Sequence, residues 1–237
     1  MCNIKMKKVL ILVLSADFHP YDEMIQTSLN TWDSVEVEGV ETAFYCGKSK
    51  KKNTDKIIYL NVKDGMLQMG HKALEAFKWA LNKEFDYIAR VNSSTYVNKK
   101  TLLQYVQNLP DNNLFAGIEA DSQNGFKYCW GGTGYIISKD VIQNIIDNSN
   151  LWHHGYMEDE SLSLIVKELG YDFTMGYGGA IDKMDSDWRI ISYGGGQSIS
   201  FTDFADLKPL KHHFIRVKQD QKRHEDKFIM NELFKVL

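Results

Sequence analysis

Short apolar runs alternate with amphipathic stretches through the first half of the chain, and this alternation restricts the fold more than any other feature. Val9-Leu10-Ile11-Leu12-Val13-Leu14 is a continuous apolar run that closes in Ser15-Ala16-Asp17. A run of that kind, rich in branched residues and ended by small polar ones, has the pattern of a strand buried on both faces. Tyr21 to Trp32 then sets Ile25, Leu29 and Trp32 at helical spacing. Segments 41–46 and 57–60 read as strands. Residues 68–82 read as a helix with Ala73, Leu74, Phe77, Ala80 and Leu81 on one face. Asp86 to Val91 is a strand that stops at the polar knot Asn92-Ser93-Ser94-Thr95, and Lys99 to Asn108 carries Leu102, Leu103 and Val106 at helical spacing. The order β-α-β-β-α-β-α predicts an α/β domain with a mixed, mostly parallel central sheet flanked by helices. In such sheets a ligand sits beyond the carboxyl ends of the strands, where Ser15 to His19 and Arg90 to Ser94 fall.

The second half predicts strands over 113–119 and 134–138 around the turn Trp130-Gly131-Gly132-Thr133-Gly134. Helices follow at 139–148, at 158–169 with Leu162, Ile165, Val166 and Leu169 on its apolar face, and at 224–237 with Phe228, Ile229, Leu233 and Val236. No stretch has the composition of a linker, so the expectation is one domain over residues 1–237.

Charge and cysteine usage exclude several classes. Lys and Arg number 28 against 31 Asp and Glu, a formal net charge of −3, which argues against a nucleic-acid partner. Cys2, Cys46 and Cys129 form no CxxC pair and support neither a disulfide framework nor a zinc site. Lys5, Lys7 and Lys8 ahead of the first apolar run resemble the start of a signal peptide, but the run is short and has no A-x-A cleavage pattern. The strand reading is favoured. No stretch approaches the roughly 20 apolar residues of a membrane span, so the chain is expected to be a cytoplasmic protein without a transmembrane segment. The fingerprints GxGxxG, GxxxxGK[ST] and GxSxG are also missing, which disfavours dinucleotide dehydrogenases, P-loop NTPases and α/β-hydrolases and leaves nucleotide-sugar enzymes prominent.

Three constellations could carry chemistry, and each has a plain alternative. Asn92-Ser93-Ser94 at a strand end offers hydroxyls, an amide and backbone N–H groups to a phosphate or a metal-bound diphosphate; otherwise it is a turn. Glu158-Asp159-Glu160 opens an amphipathic helix, where acidic residues are favoured by the helix dipole, yet one carboxylate beside a glycine-lined cleft can act as general base. Lys211-His212-His213, with Arg216, Lys218, Arg223 and His224, is the most basic stretch of a slightly acidic chain. It suggests an anion or metal-anion site, or else a solvated strand.

Several segments resemble, in order, the GT-A-fold glycosyltransferases, in particular the β-1,3-galactosyltransferase and fringe-like group. Met24 to Trp32 looks like the group's AIRxTW helix, and Gln68 to Trp79 is similar to its NLTxKT…KW helix, aligning Lys72 and Trp79. Arg90 to Asn98 sits where the family has KTDDDxFVN. Tyr128 to Tyr135 resembles YCSGGGYVLS, and Glu158-Asp159 with Leu169-Gly170 resembles EDVxxG…LG. The match runs over about residues 8–175.

The resemblance implies transfer of a sugar from a nucleotide-sugar donor, most often UDP-linked, to a hydroxyl of a glycan, lipid-linked or protein-linked acceptor. It implies a donor half over about residues 1–110 and an acceptor and catalytic half over about 111–237. Asp159 would be the general base of an inverting reaction, with Glu158 its companion and runner-up. Ser15, Asp17, Asp64, Lys72, Arg90, Asn92, Ser94 and Lys218 would bind the donor; Trp130, Gly131 and Gly132 would meet the acceptor.

The family's DxD carboxylates, which hold Mn2+ or Mg2+, are replaced by Asn92-Ser93-Ser94, and hard divalent cations prefer carboxylate oxygens. Three arrangements stay open. A metal could be held by the donor phosphates with Ser94, Asn92 and one of His212 and His213. Alternatively, His212, His213, Arg216 and Lys218 could neutralise the leaving group without metal, or the site could be inactive. The last describes a non-catalytic nucleotide-sugar or glycan-binding module, the alternative to an active transferase. A nucleotidyltransferase on a similar fold is disfavoured, because no Gly-rich, Lys/Arg-bearing loop follows the first strand.

Overall fold

A computed structural model describes residues 6–176, 178–184, 187–194, 197–219 and 222–237; Cys2 and Lys5 lie outside the described residues. The first half contains β1 (Val9–Leu14), α1 (Tyr21–Asn30), β2 (Val40–Cys46), β3 (Ile57–Tyr59), α2 (Met69–Ala80), β4 (Tyr87–Asn92), β5 (Thr95–Val97) and α3 (Lys99–Val106). The second contains β6 (Phe115–Gly117), β7 (Glu119–Asp121), β8 (Lys127–Cys129), β9 (Tyr135–Ser138), α4 (Lys139–Asp147) and α5 (Glu158–Glu168). It continues through β10 (Phe173–Met175), β11 (Gly178–Met184), β12 (Asp187–Tyr193), β13 (Ile199–Phe201), β14 (Phe214–Arg216) and α6 (Arg223–Val236).

The main sheet has the order β10-β6-β9-β4-β1-β2-β3. β1 pairs parallel with β2 and β4, β2 with β3 and β10 with β6, while β9 runs antiparallel to both neighbours. This is the expected mixed, mostly parallel α/β sheet. Side chains alternate between the two faces of a strand, and β1 shows why its sequence is apolar throughout. Val9, Ile11 and Val13 join one core with Trp32, Phe44, Leu102, Ile229 and Leu233. Leu10, Leu12 and Leu14 join the other with Leu74, Phe77, Val141 and Ile165. Helices cover both faces, so neither register of β1 could tolerate a polar residue.

Differences from the sequence expectations are local and have physical causes. The strand expected over 113–119 ends in the main sheet at Gly117, where a Cβ would lie 2.3 Å from Cys129 Sγ. The chain then pairs β7 with β8 in a separate hairpin. Thr95-Tyr96-Val97, which starts at the last residue of the expected polar knot, is a strand because it pairs antiparallel with β14, Tyr96 opposite Ile215 and Thr95 opposite Arg216. β14 in turn pairs with β11, completing a second sheet of order β13-β12-β11-β14-β5. Among the described residues no helix is long and apolar enough to cross a membrane.

Candidate active site

Where β1 and β4 end, a cleft of about 330 Å³ opens. Ser93 N–H donates to Leu14 O at 3.0 Å, and Ser15 N–H donates to Tyr45 O at 3.1 Å. The turn after β4 is thereby locked against the ends of β1 and β2. Val217 N–H donates to Ser94 O at 2.8 Å, which fastens the C-terminal basic segment to the same turn. The floor is Leu14, Ser15, Asn92, Ser93 and Ser94, and Lys72, Arg216, Lys218 and Arg223 line the walls. Phe18, Met66 and Met157 also line it and are 51%, 66% and 39% exposed, giving the cleft a partly apolar margin. The sequence patterns singled out none of these three, since isolated apolar residues in loops carry no periodicity.

One wall is set by a buried lysine. Lys72 Nζ donates to Asp64 Oδ1 at 2.5 Å and to Ser15 O at 2.6 Å, while Gly47 N–H donates to the same Asp64 oxygen at 3.0 Å. Its charge is matched within this knot, so Lys72 orients Asp64 and the end of β1. Gly47 is required here by close approach, because a Cβ would fall 2.6 Å from Asp64 Cγ. Asp17, expected beside these residues, instead faces Ser49 Oγ and Lys51 Nζ, each at 2.6 Å, and does not line the cleft. Burial works against its charge, but Lys51 and Ser49 hold the carboxyl below its ordinary range.

A second cluster surrounds the start of α5. Arg90 and Glu158 are 2% and 3% exposed and pair at 2.6 Å, Nη2 to Oε2. Tyr135 O–H donates to the other Glu158 oxygen at 2.5 Å. Burial pushes the Glu158 carboxyl up, against the pull of Arg90. This corrects two sequence expectations: Glu158 is consumed in a buried ion pair, out of an acceptor's reach, and Arg90 faces that pair rather than the cleft.

Arg90 Nη1 and Asn92 Nδ2 both donate to Gly131 O, at 3.0 and 3.3 Å. Gly131 N–H donates to Asp159 Oδ2 at 2.9 Å, and Glu160 N–H to Asp159 Oδ1 at 3.1 Å. Asp159 is therefore oriented by two backbone donors, the N–H of Gly131 and that of its own neighbour Glu160, and Arg90 and the cleft residue Asn92 hold the Gly131 carbonyl in turn. It remains partly exposed. Glu160 accepts from Met157 N–H at 3.3 Å and so caps the helix that carries Asp159.

Trp130 stands beside this turn, with Arg216 over its ring at 5.0 Å and Tyr193 edge-on at 5.8 Å. A Cβ on Gly132 would lie 2.2 Å from the Trp130 ring and 2.5 Å from Arg216 Nη1. Gly132→Ala should therefore displace both side chains. We expect the melting temperature to fall by about 5 °C, as overpacking costs roughly 1–3 kcal/mol, together with a shifted tryptophan emission spectrum. A wild-type spectrum would show that the turn has room to give.

His212 and His213 do not join the cleft. His213 is 2% exposed, stacked on Tyr105 at 4.6 Å, and burial drives its pKa down to about 3; burial also lowers that of His212. Strand β14 begins only at Phe214, so neither histidine lies in the strand, and neither is the expected ligand at the cleft. Among the described residues no group of three or more His, Cys, Asp or Glu could hold a metal. Ser94 and Asn92, the remaining expected ligands, line the cleft beside cations, and the carboxylate in its lining, Asp64, is engaged by Lys72 and Gly47 N–H. Such a donor set does not fit Mn2+ or Mg2+.

No protein-family model and no curated protein matches the chain. Solved structures do. A glycosyltransferase involved in the glycosylation of the major capsid of PBCV-1 superposes with a TM-score of 0.50 at 11% identity, over 94% of this chain and 98% of that one. Drosophila galactosyltransferase 7, in complex with manganese, UDP-Gal and xylobiose, gives 0.45 at 12% identity, over 71% of this chain and 64% of that one. The mannosyltransferase PcManGT from Pyrobaculum calidifontis, in complex with GDP-Man and Mn2+, gives 0.45 at 10% identity, over 73% and 55%. The chain thus has a fold shared with a glycosyltransferase over nearly its whole length. That likeness is one of fold.

Proposed function

We propose that the protein is a glycosyltransferase of GT-A type that moves a sugar from a nucleotide-sugar donor, UDP-linked, to a hydroxyl of a glycan, lipid-linked or protein-linked acceptor. The observation that carries this reading is the Asp159 carboxylate, held by Gly131 N–H and Glu160 N–H; it does not itself line the cleft at the carboxyl ends of β1 and β4, but Asn92, which does, donates to the carbonyl of the same Gly131. Such a fixed, partly exposed carboxylate suits a general base. It takes the proton of the acceptor hydroxyl as that oxygen bonds to the anomeric carbon. The bond from the anomeric carbon to the phosphate oxygen breaks, and its electron pair leaves with the nucleoside diphosphate. A single displacement of this kind inverts the anomeric configuration. In this reading Ser15 and Asp64, which line the cleft, would meet the nucleoside, and Asn92 and Ser94 the diphosphate. Trp130 and the Gly131-Gly132 turn, which lie outside the cleft lining, would meet the acceptor.

The carboxylate-free turn Asn92-Ser93-Ser94 favours one other reading, a module that binds nucleotide sugars or glycans without turnover. A panel of nucleotide sugars, scored by thermal shift and by hydrolysis or transfer, separates the two. Turnover with at least one donor is expected, and NMR of the product should show inverted anomeric configuration. Stabilisation by a donor with no turnover on any acceptor class would favour the binding module, and retained configuration would remove Asp159 from the role of base.

A further inference from the structure

Every acidic group that a divalent ion would need is missing from the turn after β4, and cations face that turn instead. Arg216 and Lys218 both line the cleft while Val217 between them is fully buried, the alternation of an extended chain. Arg223, at the start of α6, lines the same wall. The arrangement is built rather than incidental. Thr95 pairs with Arg216 across β5 and β14, and Val217 N–H reaches Ser94 O at 2.8 Å. Arg216 is further oriented by the face of Trp130. Arg223 is held by Asp226, Nε to Oδ2 at 2.7 Å, and lies over the Tyr21 ring at 5.6 Å.

Resting on the glycosyltransferase reading, we propose that Arg216, Lys218 and Arg223 form a metal-free clamp for the diphosphate of the donor. Their charge takes the place of a divalent cation in stabilising the departing nucleoside diphosphate. Guanidinium groups suit this task because their N–H groups match phosphate oxygens in pairs. Charge placed in advance where negative charge develops lowers the barrier to bond breaking. The hydroxyls of Ser93 and Ser94 and the amide of Asn92 complete the floor as neutral donors. A carboxylate there would repel the diphosphate once the metal is dispensed with, which accounts for the composition of the turn.

The test is calorimetric titration of the whole chain with UDP, GDP, ADP and CDP, in EDTA and again in millimolar Mn2+. At least one nucleotide is expected to bind in EDTA, with Mn2+ changing its Kd by about twofold at most. Lys218→Gln and Arg216→Ala should each raise that Kd about tenfold or more, the usual effect of losing a charge-assisted hydrogen bond. The affinity of wild type, more than that of either variant, should weaken with added salt. Lys218 is part-exposed, so its variant should fold; an unchanged near-ultraviolet CD spectrum checks both. Binding that requires Mn2+ would overturn the clamp while leaving the transferase reading standing, as would wild-type affinity in both variants. No binding of any nucleotide in either buffer would overturn both.

Discussion

Asp159→Asn is expected to bind donor nucleotide within about twofold of wild type and to lose transfer activity by roughly 10²–10⁴-fold, the usual contribution of a positioned general base. Asparagine keeps an oxygen that can accept from Gly131 N–H, so the turn over Arg90 and Asn92 stays in place. What it cannot do is take the acceptor's proton. Turnover at the wild-type rate would move the base elsewhere. Loss of nucleotide binding as well would mean that the Gly131 turn, rather than the chemistry, had been damaged.

Glu158→Gln should act on stability instead. It leaves the Arg90 guanidinium, 2% exposed, without its counter-charge. Breaking a buried pair on one side typically costs about 3–5 kcal/mol, which for a chain of this size lowers the melting temperature by about 10 °C or more. The combined replacement Arg90→Met, Glu158→Leu and Tyr135→Phe removes all three polar partners. It should recover most of that loss, because an apolar triplet of similar volume carries no desolvation cost. Transfer activity should fall in the triple variant, unlike in Glu158→Gln, since Arg90 also supports the Gly131 carbonyl. A melting temperature unchanged in Glu158→Gln would show that the pair contributes nothing to the fold. The two neighbouring carboxylates thus separate: one experiment reads rate and the other reads stability.

Much of the framework could be read from residue pattern. The apolar run Val9–Leu14 announced a strand covered on both sides because each alternate residue enters a different core. Likewise, the spacing of Leu74, Phe77 and Ala80 marked a helix whose inner face is fixed by the sheet beneath it. These signals are local, and local periodicity survives in one dimension. The β5–β14 pairing could not be read that way. Thr95-Tyr96-Val97 is too short to show a period, and its partner Phe214-Ile215-Arg216 lies far along the chain.

The candidate site divides on the same line. Ser15, Asn92, Ser94 and Lys218 line the cleft, and strand ends and basic runs leave a mark in sequence; Asp64 and Lys72 also line it, and only the family resemblance pointed to them. The difference between Glu158 and Asp159 leaves none. Adjacent residues at a helix start point in different directions, and only the position of Arg90 and Gly131 determines which carboxylate is buried. His213 was misread for a similar reason: an imidazole near basic residues looks like a ligand until Tyr105 is found stacked against it.

The antiparallel register of β5 with β14 also bears on the order of events during synthesis. The turn at Asn92-Ser93-Ser94 leaves the ribosome long before Arg216, and until β14 arrives, β5 is an open edge with unpaired backbone groups. Val97 and Tyr96 are then exposed as well, since Phe214, Ile215 and Val217 belong to the same core. The parallel strands β1 to β4 can collapse early, as N-terminal segments generally do, but the cleft is incomplete until Arg216, Lys218 and Arg223 have emerged. A nascent chain without β14 and α6 therefore lacks the side of the cleft that Arg216, Lys218 and Arg223 supply.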